Sequence, residues 1–200
     1  MPTDVLFRVI FSCFWVAFLA IFAWVAHSTK WSAGRRTTQR ATRLRNVALS
    51  FACLYLAGAL LYVLFPSWVM FLSVSLPDWF RVSMVAVGIL GVAFLLWALG
   101  TLGRNWAPSL SGVRRDTTLV TSGPYGIVRH PIYVSAFVFL VALALLSANL
   151  LILIPSLALS ALLYAQLPEE ESLLLDRFGD EYREYMKRTP RFIPGFGHER

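Results

Sequence analysis

Charge is scarce in this chain. Lys and Arg number 18 and Asp and Glu 11 among 200 residues, 14% in all, where a soluble domain carries roughly 25%. Apolar residues make up 58% and the mean hydropathy is +0.64. A soluble globular domain is thereby excluded and a membrane protein expected. Cysteine is scarcer still. Cys13 and Cys53 each lie in an apolar run without ligand spacing. Neither disulfide nor metal centre is expected, and each Cys reads as a small buried hydrophobe. No Gly-x-Gly-x-x-Gly loop, Walker loop, paired metal-binding His or Ser-His-Asp order occurs, which removes the common nucleotide-binding and hydrolytic readings. The net charge of +7 comes with no basic helix or aromatic-basic module, so nucleic acid is not an expected partner. The first apolar run lacks a preceding positive cluster and is too long for a signal h-region; it is expected to remain as a span.

Long apolar runs are what the chain has in quantity. A spanning helix needs about 20 mainly apolar residues. Val5–Ala26, Val47–Phe65 and Val82–Leu102 qualify. Tyr133–Leu146 and Leu150–Leu167 add two more, separated by Ser147-Ala148-Asn149. That short polar separator predicts a tight helical hairpin. Pro131 suits the first helical position and lengthens the fourth span. Trp68–Leu76 is apolar but too short to cross; it is expected to lie in the outer interface or extend a neighbouring helix. Gly88 and Gly91 are expected to let another helix approach closely. The fold class is therefore all-α: a multi-pass membrane helix bundle of five transmembrane helices, the last two a hairpin, with a cytoplasmic C-terminal helical tail. Residues 1–102 form an N-terminal three-span region. Residues 103–200 form the loop, hairpin and tail, all within one integrated domain.

Basic residues set the expected orientation. Lys30, Arg35, Arg36, Arg40, Arg43 and Arg45 follow the first span; Arg104, Arg114, Arg115 and Arg129 follow the third; Arg177, Arg183, Lys187, Arg188, Arg191 and Arg200 lie in the tail. The opposite side has Arg8 and Arg81. Five spans put the three basic segments in the cytoplasm and the N-terminus outside, in a prokaryotic cytoplasmic membrane or, in a eukaryote, the endoplasmic reticulum. The tail predicts an amphipathic helix over Ser172–Met186, interrupted at Gly179 and ended by Pro190 and Pro194.

A hairpin makes its two helices antiparallel neighbours. The stretch Gly123-Pro124-Tyr125-Gly126-Ile127-Val128-Arg129-His130-Pro131-Ile132-Tyr133 must then approach Glu169-Glu170-Glu171. An Arg-His pair at a membrane edge is costly and marks a candidate site. The start of the fourth helix offers amide donors and a positive dipole end, which suit a carboxylate. Arg129 can add a two-pronged contact. Glu170 and Glu171 can accept from hydroxyls or an amine, and Tyr125 offers a ring for stacking. Such a site suits a zwitterionic, nucleoside-containing ligand, with a hydrophobic second substrate entering from the lipid. Plainer readings stand beside this one: Arg129 as an interfacial anchor, His130 as a helix cap, the Glu run as a solvated start of the tail.

Together these elements resemble the integral-membrane methyltransferases of the isoprenylcysteine carboxyl methyltransferase and phospholipid methyltransferase superfamily. The matching residues are Leu119-Val120-Thr121-Ser122-Gly123-Pro124-Tyr125, Arg129-His130-Pro131-Ile132-Tyr133, Glu169-Glu170-Glu171 and Phe178-Gly179-Asp180-Glu181-Tyr182-Arg183-Glu184-Tyr185, with Asn105-Trp106 similar as well. They cover roughly residues 100–195. The resemblance implies S-adenosylmethionine as methyl donor, S-adenosylhomocysteine as product and a lipophilic or lipidated acceptor. It implies a donor site at Thr117, Thr118, Leu119, Val120, Tyr125, His130, Pro131, Ile132, Tyr133 and Glu170. Arg129, Glu170 and Glu171 are the candidate catalytic residues. One departure concerns the acceptor: prenylcysteine-directed members carry an Arg four residues before the Glu matching Glu170, where this chain has Gln166. Gln166 is the candidate substrate-binding residue, and a phospholipid amine or small thiol stands as an alternative acceptor. A nicotinamide-dependent sterol-reductase-like enzyme and a non-enzymatic membrane protein are weaker alternatives. Membrane lipids are the surroundings, and a monomer is the expectation, although nothing in the chain sets the oligomeric state.

Overall fold

The computed structural model describes residues 2–28, 39–103 and 118–193. Eight α-helices occur among them: α1 Pro2–Ser28, α2 Gln39–Leu64, α3 Pro66–Val69, α4 Asp78–Leu102, α5 Pro124–Ile127, α6 Pro131–Ser147, α7 Leu150–Phe178 and α8 Asp180–Arg188. No strand is present among the described residues, so the all-α bundle is as expected. The helices α1, α2, α4 and α7 are long and apolar enough to cross a membrane. With only 17 residues, α6 is the shorter apolar helix. At 1.5 Å per residue it reaches about 26 Å, just under a hydrocarbon core of about 30 Å. Outward faces are apolar, with Val16, Trp24, Leu90 and Trp97 all exposed, as helices surrounded by lipid require.

Three helix pairs build the bundle: α4 on α6, α2 on α7, and α6 on α7. Lipid tails are as apolar as leucine, so close packing rather than water exclusion must join them. A Cβ at Gly91 would sit 3.2 Å from Val138 of α6, and one at Gly88 would sit 3.3 Å from Phe14 of α1. Both glycines thus serve close approach, as expected. Phe7, Phe11, Tyr62, Phe139, Leu143 and Ile152 fill the centre. Phe11 meets Tyr62 edge-on at 5.1 Å, and Phe18 stacks on Phe139 at 4.6 Å.

The hairpin turns at Ala148, in the left-handed conformation with φ 49°, and at Asn149, which caps α7 by accepting from Leu151 N at 2.9 Å. Asn149 Nδ2 also donates to Val69 O at 3.0 Å, and Val74 N donates to Ala148 O at 2.7 Å. The expected short interfacial segment is therefore α3 and the turn after it, folded against the hairpin tip. Its Trp68, Met70 and Phe71 face outward. Nearby, Arg81 joins three helices. Its Nε donates to Leu146 O at the end of α6 (3.0 Å), its Nη1 pairs with Asp4 of α1 (2.9 Å), and its guanidinium lies 3.9 Å from the Phe7 ring centre.

Two expectations need correction. Cys13 and Cys53 are exposed on the faces of α1 and α2, not buried; lipid solvates a small apolar side chain as well as the interior does. The tail helix is also divided differently. α7 runs through Pro168 to Phe178, so Ser172–Phe178 belongs to it, and only Asp180–Arg188 forms α8. The break at Gly179 is as expected: its φ of +55° suits glycine. Proline removes one helical hydrogen bond, but contacts made by Glu171, one turn later, hold the helix beyond it.

Replacing Arg81 with Ala is expected to lower stability by about 1–3 kcal/mol, because the hydrogen-bonded Leu146 carbonyl loses a charged donor. Arg81→Lys should not restore it, since an ammonium cannot reach carbonyl, carboxylate and ring together. Thermal unfolding in detergent measures this; an unchanged midpoint for Arg81→Ala would count against the three-helix clamp.

Candidate functional site

Counted from the hairpin tip, the turn of α7 at Gln166–Glu170 is level with the start of α6, while α7 continues for about two turns more. Those extra turns present Glu171 to whatever lies over α6. The loop before α6 turns at Gly123, where φ is +59° and a Cβ would stand 3.1 Å from Thr101 of α4. Glycine is needed there for conformation and for space. Pro124 starts the single turn of α5, and Val128 leaves it extended. Arg129 N then donates to Pro190 O at 2.8 Å, and His130 N to Arg191 O at 3.3 Å. The chain past α8 is thus laid across the residues that open α6.

Glu171 is the centre of this end of the molecule. Its side chain is only 6% exposed. Its Oε1 accepts from Arg129 Nη2 at 3.2 Å, His130 Nε2 at 3.1 Å and Arg191 Nε at 3.1 Å. Its Oε2 accepts from Arg191 Nη2. Arg129 spends its remaining reach on the tail: Nη1 donates to Met186 O and Thr189 O, both at 2.9 Å. His130 precedes Pro131 at the head of α6 without capping it through its side chain. Of the plainer readings, Arg129 is therefore an anchor of the tail rather than of the interface, and His130 is not a side-chain cap. A buried carboxylate is tolerated only when paired and hydrogen-bonded, as this one is.

Glu170 is placed differently. It is half-buried, and its Oε2 accepts from the hydroxyl of Tyr133 in the first turn of α6. The Tyr133 ring stands edge-on to His130 at 5.5 Å. Gln166 is buried one helical turn before Glu170. Tyr125 in α5 receives a 2.6 Å hydrogen bond on its carbonyl from Tyr185 of α8. Burial pushes the phenols of Tyr125, Tyr182 and Tyr185 above their ordinary range, so all three stay neutral donors at working pH. The Tyr125 and Tyr182 hydroxyls and Arg129 Nε are buried with no hydrogen-bond partner among the described residues. Such groups are rare and costly when left unmatched. Their gathering beside Glu170 and Glu171 is what a ligand-binding end would show.

Arg129, His130, Tyr133, Glu170 and Glu171 are thus brought together as the hairpin argument requires. Pro131 and Ile132 form the first turn of α6, and Thr118, Leu119 and Val120 lie in the non-helical stretch leading to Gly123. Thr117, Asn105 and Trp106 fall outside the described residues. Three participants escaped the sequence reading. Arg191 counts there only as a basic residue of the tail, Phe192 carries no signal, and Tyr182 passes as a packing residue of an amphipathic helix. The one available hint is a charge at Arg191 inside a stretch bounded by Pro190 and Pro194, where no helix face can carry it into water.

The profile of the Isoprenylcysteine carboxyl methyltransferase (ICMT) family matches residues 84–176. A Nickel-cobalt-cadmium resistance protein, NccN, of Alcaligenes xylosoxydans xylosoxydans is 38% identical over 117 residues, covering 58% of this chain and 52% of the relative. The Homo sapiens Protein-S-isoprenylcysteine O-methyltransferase is 32% identical over 118 residues, covering 58% of this chain and 42% of its own. A solved structure of the eukaryotic intramembrane Ras methyltransferase ICMT matches with TM-score 0.53 and 25% identity over 79% of this chain and 54% of that one. This chain spans about half the length of the curated relatives it matches. Among the described residues no group of three or more His, Cys, Asp and Glu side chains is placed to hold a metal ion.

The two adjacent carboxylates are expected to differ. Glu171→Gln leaves Arg129 and Arg191 facing a neutral amide, and should destabilise the tail by about 3 kcal/mol, the order found when one partner of a buried pair is removed. Glu170→Gln should cost far less. Trypsin cleavage at Arg188 and Arg191 in detergent reports it; equal protection in both variants would refute the distinction.

Proposed function

We propose that this multi-pass membrane protein, whose residues 84–176 match the profile of the isoprenylcysteine carboxyl methyltransferase family, is an S-adenosylmethionine-dependent methyltransferase acting on a lipophilic acceptor. The observation that carries the reading is the half-buried Glu170–Tyr133 pair, with the unmatched Tyr125 and Tyr182 hydroxyls beside it. These groups fit a ligand rich in amine and hydroxyl donors and ring nitrogens. Tyr125, His130, Tyr133 and Glu170 would hold the methyl donor, with Thr118, Leu119, Val120, Pro131 and Ile132 lining its approach. When bound, S-adenosylmethionine would supply an electrophilic methyl: the acceptor lone pair bonds to that carbon as the C–S electron pair returns to sulfur, and S-adenosylhomocysteine leaves.

The residues contribute position and dryness rather than acid–base chemistry. Glu170 sets an anionic point at the ligand, and the Tyr133 hydroxyl fixes the direction of that carboxylate. Arg129 and Glu171 keep the tail in place and so exclude water, and burial of the phenols keeps their dipoles fixed. Positioning of this kind and water exclusion supply a large part of the barrier reduction in a direct displacement. A carboxylate or thiolate acceptor needs no base; an amine must first be neutral, and Glu170 is the group at hand to take its proton. The basic loops and tail would face the cytoplasm by the Lys/Arg bias.

Gln166 bears on the acceptor. It is buried one turn from Glu170 and carries no charge, so it donates a hydrogen bond to the acceptor's polar group without neutralising a carboxylate. An isoprenylcysteine-like acid is the leading acceptor class by family; a lipid amine or small thiol fits the uncharged Gln166 as well.

Calorimetry on the detergent-purified protein tests the donor assignment. Wild type should bind S-adenosylhomocysteine and not a reduced nicotinamide cofactor, and Glu170→Ala should weaken binding at least about tenfold, the worth of one lost charge-assisted hydrogen bond. Absence of binding by wild type would sink the reading, and unchanged affinity in the variant would move the site elsewhere. For a carboxylate acceptor, Gln166→Arg should lower KM; an equal or higher KM on carboxyl substrates argues for the amine or thiol class.

A further inference from the structure

The segment Thr189–Ile193 follows α8 without helical structure and crosses the head of α6. Two arginines tie it down, and they do different things. Arg129, with 3% of its side chain exposed, binds the carbonyls of Met186 and Thr189 and so fixes the point where the segment leaves α8. Arg191, with 31% of its side chain exposed, sits at the rim and reaches inward to Glu171. Among the described residues bonded to Glu171, only Arg191 contacts both carboxylate oxygens, through Nε on Oε1 and Nη2 on Oε2. A two-pronged bond defines the plane of a carboxylate, which single contacts do not. That plane decides where Oε1 meets His130 Nε2. Phe192 completes the cover, with ring centres 6.3 Å from His130, 5.5 Å from Phe137 of α6 and 6.0 Å from Tyr164 of α7.

We propose that Arg191 is a positioning residue: acting through Glu171 it orients His130, and it latches the segment Thr189–Ile193 shut over the methyl-donor site. The proposal rests on the donor site described above. Charge neutralisation alone does not account for Arg191, because Arg129 already pairs with Glu171 at 3.2 Å. The deep anchor at Arg129 and the rim contact at Arg191 make the segment a flap fixed at one end. Opening it at Arg191 breaks two amide–carbonyl bonds, from Arg129 N and His130 N, and withdraws the Phe192 ring, while Glu171 keeps a cationic partner. His130 gives Nε2 to Glu171, so Nδ1 is the ring nitrogen turned away from that carboxylate. Its direction is set by the same carboxylate, so Arg191 reaches the ligand through two intervening groups.

Stopped-flow displacement of S-adenosylhomocysteine, steady-state kinetics and thermal unfolding of the full-length protein in detergent test this. Arg191→Ala should raise the product dissociation rate about tenfold and the donor KM with it, leave kcat within about threefold, and barely move the unfolding midpoint, as suits a partly exposed charge-assisted contact. Arg191→Lys should recover only part of the effect, because a point charge cannot hold both oxygens. In wild type, hydrogen exchange at the amides of Arg129 and His130, whose acceptors lie on the flap, should slow when S-adenosylhomocysteine is bound; this needs no variant. Exchange unaffected by the product, or a dissociation rate in Arg191→Ala equal to that of wild type, overturns the proposal while leaving the donor site standing. Failure of wild type to bind S-adenosylhomocysteine overturns both.

Discussion

A carboxylate buried at the tail end of a membrane bundle must be neutralised, and most of that end of the molecule is arranged around neutralising one. Glu171 draws in Arg129 and His130 from the head of α6 and Arg191 from beyond α8. The same contacts keep α7 helical past Pro168, hold the end of α8 through its carbonyls, and lay the last described residues over α6. An ion cluster of this kind adds little net stability compared with a packed apolar cluster, yet it is strongly directional. Its value here is that it joins segments distant in sequence into one geometry.

The opposite end solves a related problem, with one charged donor and two neutral ones. There the hairpin tip presents carbonyls that lipid cannot satisfy. Arg81 takes the Leu146 carbonyl, Tyr62 donates to the Ser147 carbonyl at 3.2 Å, and Asn149 ties the tip to the segment after α3. With both ends tied, α6 and α7 are held in fixed register. That register sets Tyr133 against Glu170, the pair on which the methyl-donor reading depends. Fold and site are therefore one problem: the packing of Gly91 on Val138 and the tip contacts determine which turn of α7 faces the head of α6.

The match to the isoprenylcysteine carboxyl methyltransferase family profile spans residues 84–176. The Arg-His-Pro segment and the glutamates lie in this region, while α8 and Arg191 lie beyond it. Spans, hairpin, the break at Gly179 and the approach of Arg129 and His130 to the glutamates could all be read in advance, because hydropathy and a three-residue connection leave few arrangements. The division of labour between Glu170 and Glu171 could not. Adjacent residues on a helix point about 100° apart, and identical side chains give no sign of which direction is occupied. Arg191 and Phe192 were hidden for a related reason: they follow a proline stop, where no periodicity assigns a face.

What the sequence by itself determined is the set of apolar helices, their connection by a tight turn and the end of the bundle at which the charged motifs collect. Those follow from local chemistry, since each apolar run must satisfy its own backbone and each charge must find water or a partner. Tertiary structure alone decided which partner each charge found. Glu171 became the buried hub and Glu170 the half-buried partner of Tyr133 because the rotation of α7 against α6 and the return of the chain past α8 are set by packing at a distance. No local pattern encodes a rotation about a helix axis.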